Sequence, residues 1–255
     1  HLYDLLEIQK IREPEIQIVS NLSFLPVNEN NLVYKAARLL QEEFALTDGI
    51  SVKLTKRIPV AAGMAGGSTD AAAMLYAMNQ LYDLGLSRRE LMKRGVQIGA
   101  DVPYCLMRGT ALAEGIGEKL TQLPPMIKCP VLIAKPSISV STKFVYQNLK
   151  LDEQTNHPDI DALMKDIREK DFDGVCAHMG NVLESVTIPN YPVIAEIKQQ
   201  MMRSGAKASM MSGSGPTVFG LFEDGETAKR ALREMKRSGL AKQVYLTTIY
   251  NNRRK

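Results

Sequence analysis

The chain has 255 residues, of which 45% are hydrophobic, 24% charged and 6% aromatic, and its formal net charge is +4. This length is enough for one large domain or two modest ones, each with a buried core. The mild positive charge is spread along the chain, which does not favour nucleic-acid binding. There is no apolar run approaching a membrane span and no signal-peptide pattern. We therefore expect a cytoplasmic enzyme without a nucleic-acid or membrane partner.

Three cysteines and three histidines are scattered along the chain. Cys105, Cys129 and Cys176 lie far apart, and none of their spacings resembles a zinc site. An odd number of cysteines in apolar or helical surroundings favours free thiols in a reducing compartment. The sequence thus predicts neither a disulfide framework nor a histidine-based metal centre.

The N-terminal part predicts a mixture of strands and helices. Residues 6–11, 16–20 and 50–54 read as strands, the last through alternation of apolar and polar side chains. Residues 31–44 read as a helix because Leu32, Ala36, Leu39 and Leu40 share one face.

The stretch PVAAGMAGGSTDAAAML, residues 59–75, follows the third strand and leads into a helix. Ser68 or Thr69 is expected to cap this helix, and Asp70 suits the positive end of its dipole. Free amides at a helix start with no side chains in front form an anion site, and the usual anion is phosphate. The lack of a lysine excludes a Walker P-loop, and the glycine spacing excludes a dinucleotide fingerprint. The alternative is a tight turn whose glycines serve only packing.

Further signals follow in chain order. Gly85 is expected to end the glycine-loop helix, and residues 87–90 form a capping box that opens another helix ending near Gly99. In GADVPYCLMRG, Asp101 stands at the start of a short helix, where it is either an N-cap or the base of a phosphoryl transfer. Residues 110–120 read as a hairpin.

Lys56 and Arg57 lie just ahead of the glycine loop. They are either solvated charges at a strand end, which is the commoner case, or cations that border a triphosphate. Both interpretations remain open at the level of the sequence.

The second half, after Pro124 and Pro125, has a different rhythm. We expect a strand in CPVLIAKP, a strand pair in ASMMSGSGPTVFGLF, and a final strand at 243–250. The expected helices are residues 142–149, 160–170, 175–185, 192–204 and 226–238. Without the inserted helices this order is β-α-β-β-α-β, the ferredoxin-like arrangement. The turn SGSGPT, residues 212–217, is either a simple hairpin turn or a second glycine loop that lines one cleft together with the first.

Three blocks, PVAAGMAGGSTDAAA, GADVPYCLMRGTALAEGIGEKL and MSGSGPTVFG, resemble in order and spacing the three motifs of the GHMP kinases. GNVLES and KPSISVST resemble the branch of that family in the non-mevalonate route to isoprenoids. The resemblance implies an α+β fold with two domains: a ribosomal-protein-S5-like ATP-binding domain at 1–126 and a ferredoxin-like domain at 127–255. It also implies a monomer or weak homodimer.

The resemblance further implies an ATP- and Mg²⁺-dependent small-molecule kinase in which Asp101 deprotonates the acceptor hydroxyl. Its acceptor would be the 2-hydroxyl of a cytidine diphosphate-linked methylerythritol. The residues implied for ATP are Gly63, Gly66, Gly67, Ser68 and Thr69, with the Ser68 hydroxyl near Mg²⁺. Lys56 and Pro59, which stand just ahead of the loop, are further candidates for ATP binding. Those implied for the acceptor are Thr142, Tyr146, Gly213, Ser214 and Gly215.

Alternatives stay open. Another kinase of the family, acting on mevalonate, homoserine or a sugar, shares the glycine loop, and a nucleotide-binding protein without catalysis would share it too. A structural RNA-binding protein is a third alternative, which the modest charge disfavours. Members of the family also begin with a block like Ala-Lys-Ile-Asn-Leu, followed by Gly-Tyr-His, and neither block is in this sequence. On that ground we expect the 255-residue chain to be a weak or inactive kinase.

Overall fold

The structure is a computed structural model that describes residues 2–151 and 157–251. Its residue contacts divide the chain into two units. The first unit comprises Leu2–Val60 and Ala65–Gln122, and the second comprises Ala61–Met64 and the chain from Leu123 onward. The sequence analysis placed the division after residue 126 and did not foresee that four residues of the glycine loop fold with the second unit.

The first unit has a three-stranded sheet, a two-stranded hairpin and four helices within its described residues. Its elements are β1 Leu5–Ile11, β2 Ile16–Ser20, α1 Leu32–Glu43, β3 Gly49–Thr55, α2 Gly66–Leu81, α3 Arg88–Ile98, α4 Val102–Met107, β4 Ala111–Glu114 and β5 Lys119–Gln122. β3 is the central strand of the sheet, antiparallel to β1 and parallel to β2. β4 and β5 form the predicted hairpin.

The core of this unit follows from the patterns in the sequence. In β3 the alternate residues Ile50, Val52 and Leu54 are buried, as the period of two predicts. They belong to one apolar cluster with the buried faces of α1 and α2. α1 begins after Asn31, whose side-chain oxygen accepts a hydrogen bond from Val33 N–H at 2.9 Å. The predicted capping box of Ser87 and Glu90 is confirmed at the start of α3.

The second unit has one four-stranded sheet and six helices within its described residues. Its elements are β6 Pro130–Lys135, α5 Thr142–Asn148, α6 Ile160–Glu169, α7 Phe172–His178, α8 Glu184–Asn190, α9 Val193–Arg203, β7 Ala208–Met211, β8 Val218–Leu221, α10 Gly225–Ser238 and β9 Gln243–Thr248. The strand order is β7-β8-β6-β9 with every pair antiparallel. This is the ferredoxin-like order, so the predicted α+β class is confirmed.

One predicted helix of the second unit is wrong. The apolar spacing predicted a single helix over 175–185, but α7 ends at His178 and α8 begins at Glu184. A β-carbon at Gly180 would lie 2.8 Å from the ring of Pro158, so the chain packs closely there. Asn181 then satisfies the amide of Leu183 with its side chain, at 3.0 Å. These local contacts replace the helical hydrogen bonds that the periodicity implied.

No helix within the described residues is both long enough and apolar enough to cross a membrane.

Candidate active site

The glycine turn leads into α2 by a left-handed residue instead of a side-chain cap. The helix begins at Gly66, earlier than predicted, and its N-cap is Ala65 with φ of +50°. The predicted cap by Ser68 or Thr69 is wrong, because both residues already lie inside the helix. The hydroxyl of Thr69 instead donates to the carbonyl of Ala65 at 3.0 Å. No side chain therefore caps the start of α2.

The first amides of α2 are consequently available. Within the described residues, the N–H groups of Gly66, Gly67 and Ser68 have no hydrogen-bond acceptor, and neither has the Ser68 hydroxyl. The next amide, of Thr69, is bound to Ala65 at 2.9 Å. Three free amides at the positive end of a sixteen-residue helix form an anion site.

Lys56 lies beside this turn but is buried, with 6% of its surface exposed. Its ammonium contacts the carboxylates of Asp4 and Asp70, the latter at 2.7 Å. Asp4 also accepts hydrogen bonds from the amides of Arg57 and Ile58 at 2.5 and 2.9 Å. The sequence analysis left Lys56 either solvated or beside a triphosphate, and the structure gives it two carboxylate partners. Its role at the phosphates stays a prediction.

Asp70 is the residue of this cluster whose pKa is raised. Burial raises its pKa to about 7, and the negative charge of Asp4 adds to the rise, while the hydrogen bond from Lys56 opposes it. One buried ammonium faces two carboxylates, so the three ionised groups together carry one unbalanced negative charge. Protonation of Asp70 removes that charge.

Replacing Asp70 by asparagine tests this electrostatic effect. The folded-state pKa lies above the ordinary value of 3.8, so the stabilising contribution of Asp70 is complete below about pH 4. It is lost as the pH rises through about 7. Asparagine does not titrate, so we expect the variant to gain stability relative to the unsubstituted protein between pH 4 and 8, by on the order of 2 to 4 kcal/mol.

The measurement is the melting temperature of both proteins at several pH values. Asp83→Asn is the matched control, since Asp83 is exposed in the same unit. Melting curves whose difference stays constant with pH would contradict the assigned titration of Asp70.

Asp101 stands at the N-cap position of α4, but its side chain does not cap the helix. Its φ and ψ are −83° and −13°, and no side-chain cap hydrogen bond is present. The carboxylate is exposed, and within the described residues it has no hydrogen-bond or ion-pair partner. The purely structural interpretation of Asp101 as a side-chain cap is therefore wrong.

Cys105 connects Asp101 to the glycine turn. The amide of Cys105 donates to the Asp101 carbonyl, so the two residues are one helical turn apart. The Cys105 Sγ lies 3.4 Å from the Thr69 Oγ1 in the first turn of α2. Burial raises the pKa of the Cys105 thiol, and the charges of Asp101 and Asp70 also raise it. Asp101 thus lies one helical turn from a residue that contacts the first turn of α2.

The SGSGPT turn of the second unit contacts residues 61–64. Ser212 Oγ donates to the carbonyl of Gly63 at 2.8 Å. Gly63 has φ of +69°, and a β-carbon there would lie 2.2 Å from the Ser212 carbonyl oxygen. The two predicted glycine motifs therefore meet at their backbones within this unit, and Gly63 is required by that close approach.

The residues predicted for the acceptor are partly brought together. Thr142 Oγ1 lies 2.9 Å from Ser214 Oγ, so α5 contacts the SGSGPT turn. Tyr146 follows Thr142 by one helical turn and is 61% exposed. Gly213 is exposed, whereas Ser214 and Gly215 are buried. Exposure of Tyr146 suits a stacking role but does not by itself test one.

No group of three or more His, Cys, Asp or Glu side chains that could hold a metal is present in the described ranges. The free Ser68 hydroxyl offers a single hard oxygen at the anion site. Mg²⁺ in phosphoryl-transfer sites commonly takes few protein ligands and keeps water and phosphate oxygens, so one hydroxyl fits. Pro59, also predicted at the nucleotide, is buried.

Sequence reasoning missed several residues around these turns. Asp4 lies fifty-two positions from Lys56, and no local pattern connects them. Asn181 and Glu184 bind the backbone before and within the SGSGPT turn. The segment GNVLES contains both residues and was a usable signal. Because a continuous helix was predicted there, their contacts with the backbone of the turn were not expected.

Comparisons with known proteins match both halves of the chain. Residues 31–109 match the GHMP kinases N terminal domain, and residues 163–241 match the GHMP kinases C terminal domain. A relative from Lachnospira eligens is 57% identical over 249 residues, covering 98% of this chain and 86% of its own. One from Lachnoclostridium phytofermentans is 53% identical, covering 99% and 87%. Both are named 4-diphosphocytidyl-2-C-methyl-D-erythritol kinase.

Solved structures agree in fold. A crystal structure of 4-(cytidine 5'-diphospho)-2C-methyl-D-erythritol kinase superposes with a TM-score of 0.81 at 29% identity, covering 97% of this chain and 86% of the other. A homoserine kinase from Cytophaga hutchinsonii superposes with a TM-score of 0.82 at 21% identity, covering 98% and 86%. The second likeness concerns the fold alone.

Proposed function

The chain belongs to the GHMP kinase family, and on that premise we propose that it transfers the γ-phosphoryl group of ATP to the 2-hydroxyl of 4-diphosphocytidyl-2-C-methyl-D-erythritol. Relatives that share 45–57% of their residues with it carry that enzyme's name. The observation that carries the proposal is the carboxylate of Asp101, which is exposed and does not cap α4. α4 in turn contacts the first turn of α2, where the phosphates would bind.

The amides of Gly66, Gly67 and Ser68 bind the phosphate chain of ATP. They have no hydrogen-bond acceptor among the residues that the structure describes, and the dipole of α2 favours negative charge in front of them. Thr69 closes the first helical hydrogen bond and holds these amides in place. The Ser68 hydroxyl would help to hold Mg²⁺, which when bound would neutralise negative charge on the ATP phosphates.

Asp101 acts as the general base. Its carboxylate accepts the proton of the acceptor 2-hydroxyl as that oxygen forms a bond to the γ-phosphorus, and the bond to the bridging oxygen of ADP breaks. An exposed carboxylate that is not engaged as a cap can orient the hydroxyl before transfer. The acceptor is bound by two residues of α5, Thr142 and Tyr146, and by the turn at Gly213, Ser214 and Gly215. The tyrosine ring stacks on cytosine.

A panel of acceptors tests this function. The full-length gene product that contains these residues is incubated with ATP and Mg²⁺, and ADP release is measured with each acceptor in turn. We expect kcat/KM for 4-diphosphocytidyl-2-C-methyl-D-erythritol to exceed that for homoserine, mevalonate or galactose by at least about 10³-fold, because the cytidine end adds contacts that the smaller acceptors lack.

Other outcomes would contradict the proposal in distinct ways. Preference for homoserine or mevalonate would assign another acceptor to the same fold. ATP binding without ADP release for any acceptor would indicate a nucleotide-binding protein without catalysis.

A further inference from the structure

The break between α7 and α8 places Asn181 against the SGSGPT turn. Its side-chain Nδ2 donates to two backbone carbonyls, those of Met211 and Gly213, each at 2.8 Å. Its Oδ1 accepts from the Leu183 amide at 3.0 Å. One primary amide therefore uses both donor hydrogens and one acceptor on the backbone, which is nearly its full capacity.

Glu184 binds the same stretch of backbone from the start of α8. Its Oε1 accepts from the Met211 amide at 2.8 Å, and its Oε2 pairs with the ammonium of Lys198 on α9. The hydroxyl of Thr187, further along α8, donates to the Leu183 carbonyl at 3.1 Å and lies 3.4 Å from the Ser214 carbonyl. Asn181 and Glu184 thus hold three backbone groups of residues 211–213 from a single short segment.

The turn needs these hydrogen bonds because its glycines do not restrict the backbone angles by themselves. Gly213 and Gly215 have φ of +56° and +86°, and glycine gives the unrestrained backbone wide freedom. In a planar trans peptide the N–H points opposite to the carbonyl. When Asn181 binds the Gly213 carbonyl, it therefore directs the Ser214 N–H away from itself. That N–H has no acceptor within the residues that the structure describes.

Building on the kinase activity proposed above, we propose that Asn181 and Glu184 are positioning residues for acceptor binding. They fix the peptide planes of the Ser212–Gly215 turn so that the Ser214 N–H, which has no acceptor within the described residues, is presented to the anionic acceptor. Neither side chain touches the reacting atoms. They act on the acceptor only through the backbone that they hold.

The variant Asn181→Asp tests the hydrogen bonds that Asn181 donates while nearly preserving the shape of the side chain. Aspartate has nearly the same size and keeps the acceptor for Leu183, but it cannot donate to the carbonyls of Met211 and Gly213. We expect kcat/KM for the acceptor to fall by on the order of 10²-fold, because small displacements of binding groups have such effects. The KM for ATP should change less than about threefold, since the nucleotide is bound at α2.

Hydrogen exchange supplies a readout that does not depend on activity. In Asn181→Asp we expect the peptide that covers residues 209–218 to exchange about tenfold faster, since two hydrogen bonds are lost there. The strands β6 and β9 of the same unit should keep their exchange rates. Asn190→Asp is the matched control, because Asn190 lies on α8 and donates only to the Val186 carbonyl. It should leave both measurements unchanged.

A second substitution tests the other positioning residue. Glu184→Gln keeps an acceptor for the Met211 amide but loses the charge that pairs with Lys198. We expect a smaller reduction in acceptor kcat/KM, about threefold, with slightly faster exchange over the same peptide.

The outcomes separate cleanly. Unchanged exchange at 209–218 in Asn181→Asp, or unchanged acceptor kinetics despite faster exchange, would overturn the positioning role. Faster exchange throughout the unit, or an equal effect in Asn190→Asp, would overturn it as well, because both point to general destabilisation. An unsubstituted full-length gene product with no turnover would contradict the kinase assignment instead, while the exchange comparison would still decide whether Asn181 holds the turn.

Discussion

We expect replacement of Asp101 by asparagine to lower acceptor-dependent ADP release by about 10²- to 10⁴-fold, the range typical of a lost general base. Asparagine has the same shape but cannot accept the hydroxyl proton. The Asp101 side chain makes no cap hydrogen bond in the structure, so the substitution removes no structural contact. We therefore expect the melting temperature and the affinity for ATP to stay within error of the unsubstituted protein.

The measurements are a coupled assay of ADP release and nucleotide binding by calorimetry. Asp83→Asn serves as the control, because Asp83 is exposed and its φ of +49° suits asparagine equally well. Turnover that survives Asp101→Asn would rule out this carboxylate as the base. A nucleotide-binding protein without catalysis would show no kinetic change at all.

Replacing Gly63 by alanine should destabilise the protein and abolish most of its activity. The added β-carbon would lie 2.2 Å from the Ser212 carbonyl oxygen, a backbone atom that cannot rotate away. Positive φ is not the main difficulty, because Ala61 and Ala65 adopt φ of +50° nearby. Overpacking of this kind costs about 1 to 3 kcal/mol, equivalent to a fall in Tm of about 2 to 12 °C in a chain of this size.

Thermal unfolding and the ADP-release assay measure the two effects. Gly225→Ala is the control, since a β-carbon at Gly225 meets nothing within 4 Å and α10 begins there. A stable, fully active Gly63→Ala protein would show that the turn at residues 61–64 does not need its contact with Ser212.

Local patterns in the sequence accounted for most secondary structure. The alternation in β3, the capping box of α3 and the β-α-β-β-α-β order were each readable because neighbours along the chain determine them. The α7–α8 break was not readable, since the apolar spacing continues through it. Within the break, Gly180 packs on Pro158 and Asn181 binds the Leu183 amide, and neither contact is visible in the spacing of apolar residues.

The site was predictable in part for the same reason. The glycine turn and the position of Asp101 follow from short motifs. The contact of Lys56 with Asp4 instead depends on the pairing of β1 with β3, which brings these distant positions side by side. The absence of a side-chain cap at Asp101 depends on its φ and ψ, which no motif specifies. Long-range contacts and backbone angles are therefore what the sequence alone could not supply.

The assignment of Ala61–Met64 to the second unit has a practical consequence for dissecting the protein. A gene fragment that starts at codon 123 would encode the whole ferredoxin-like sheet, yet it would lack residues 61–64, including Gly63, whose carbonyl accepts the hydrogen bond from the Ser212 hydroxyl. Supplying them as a separate peptide, or grafting them through a short linker, would be needed before such a fragment could serve as a faithful isolated half.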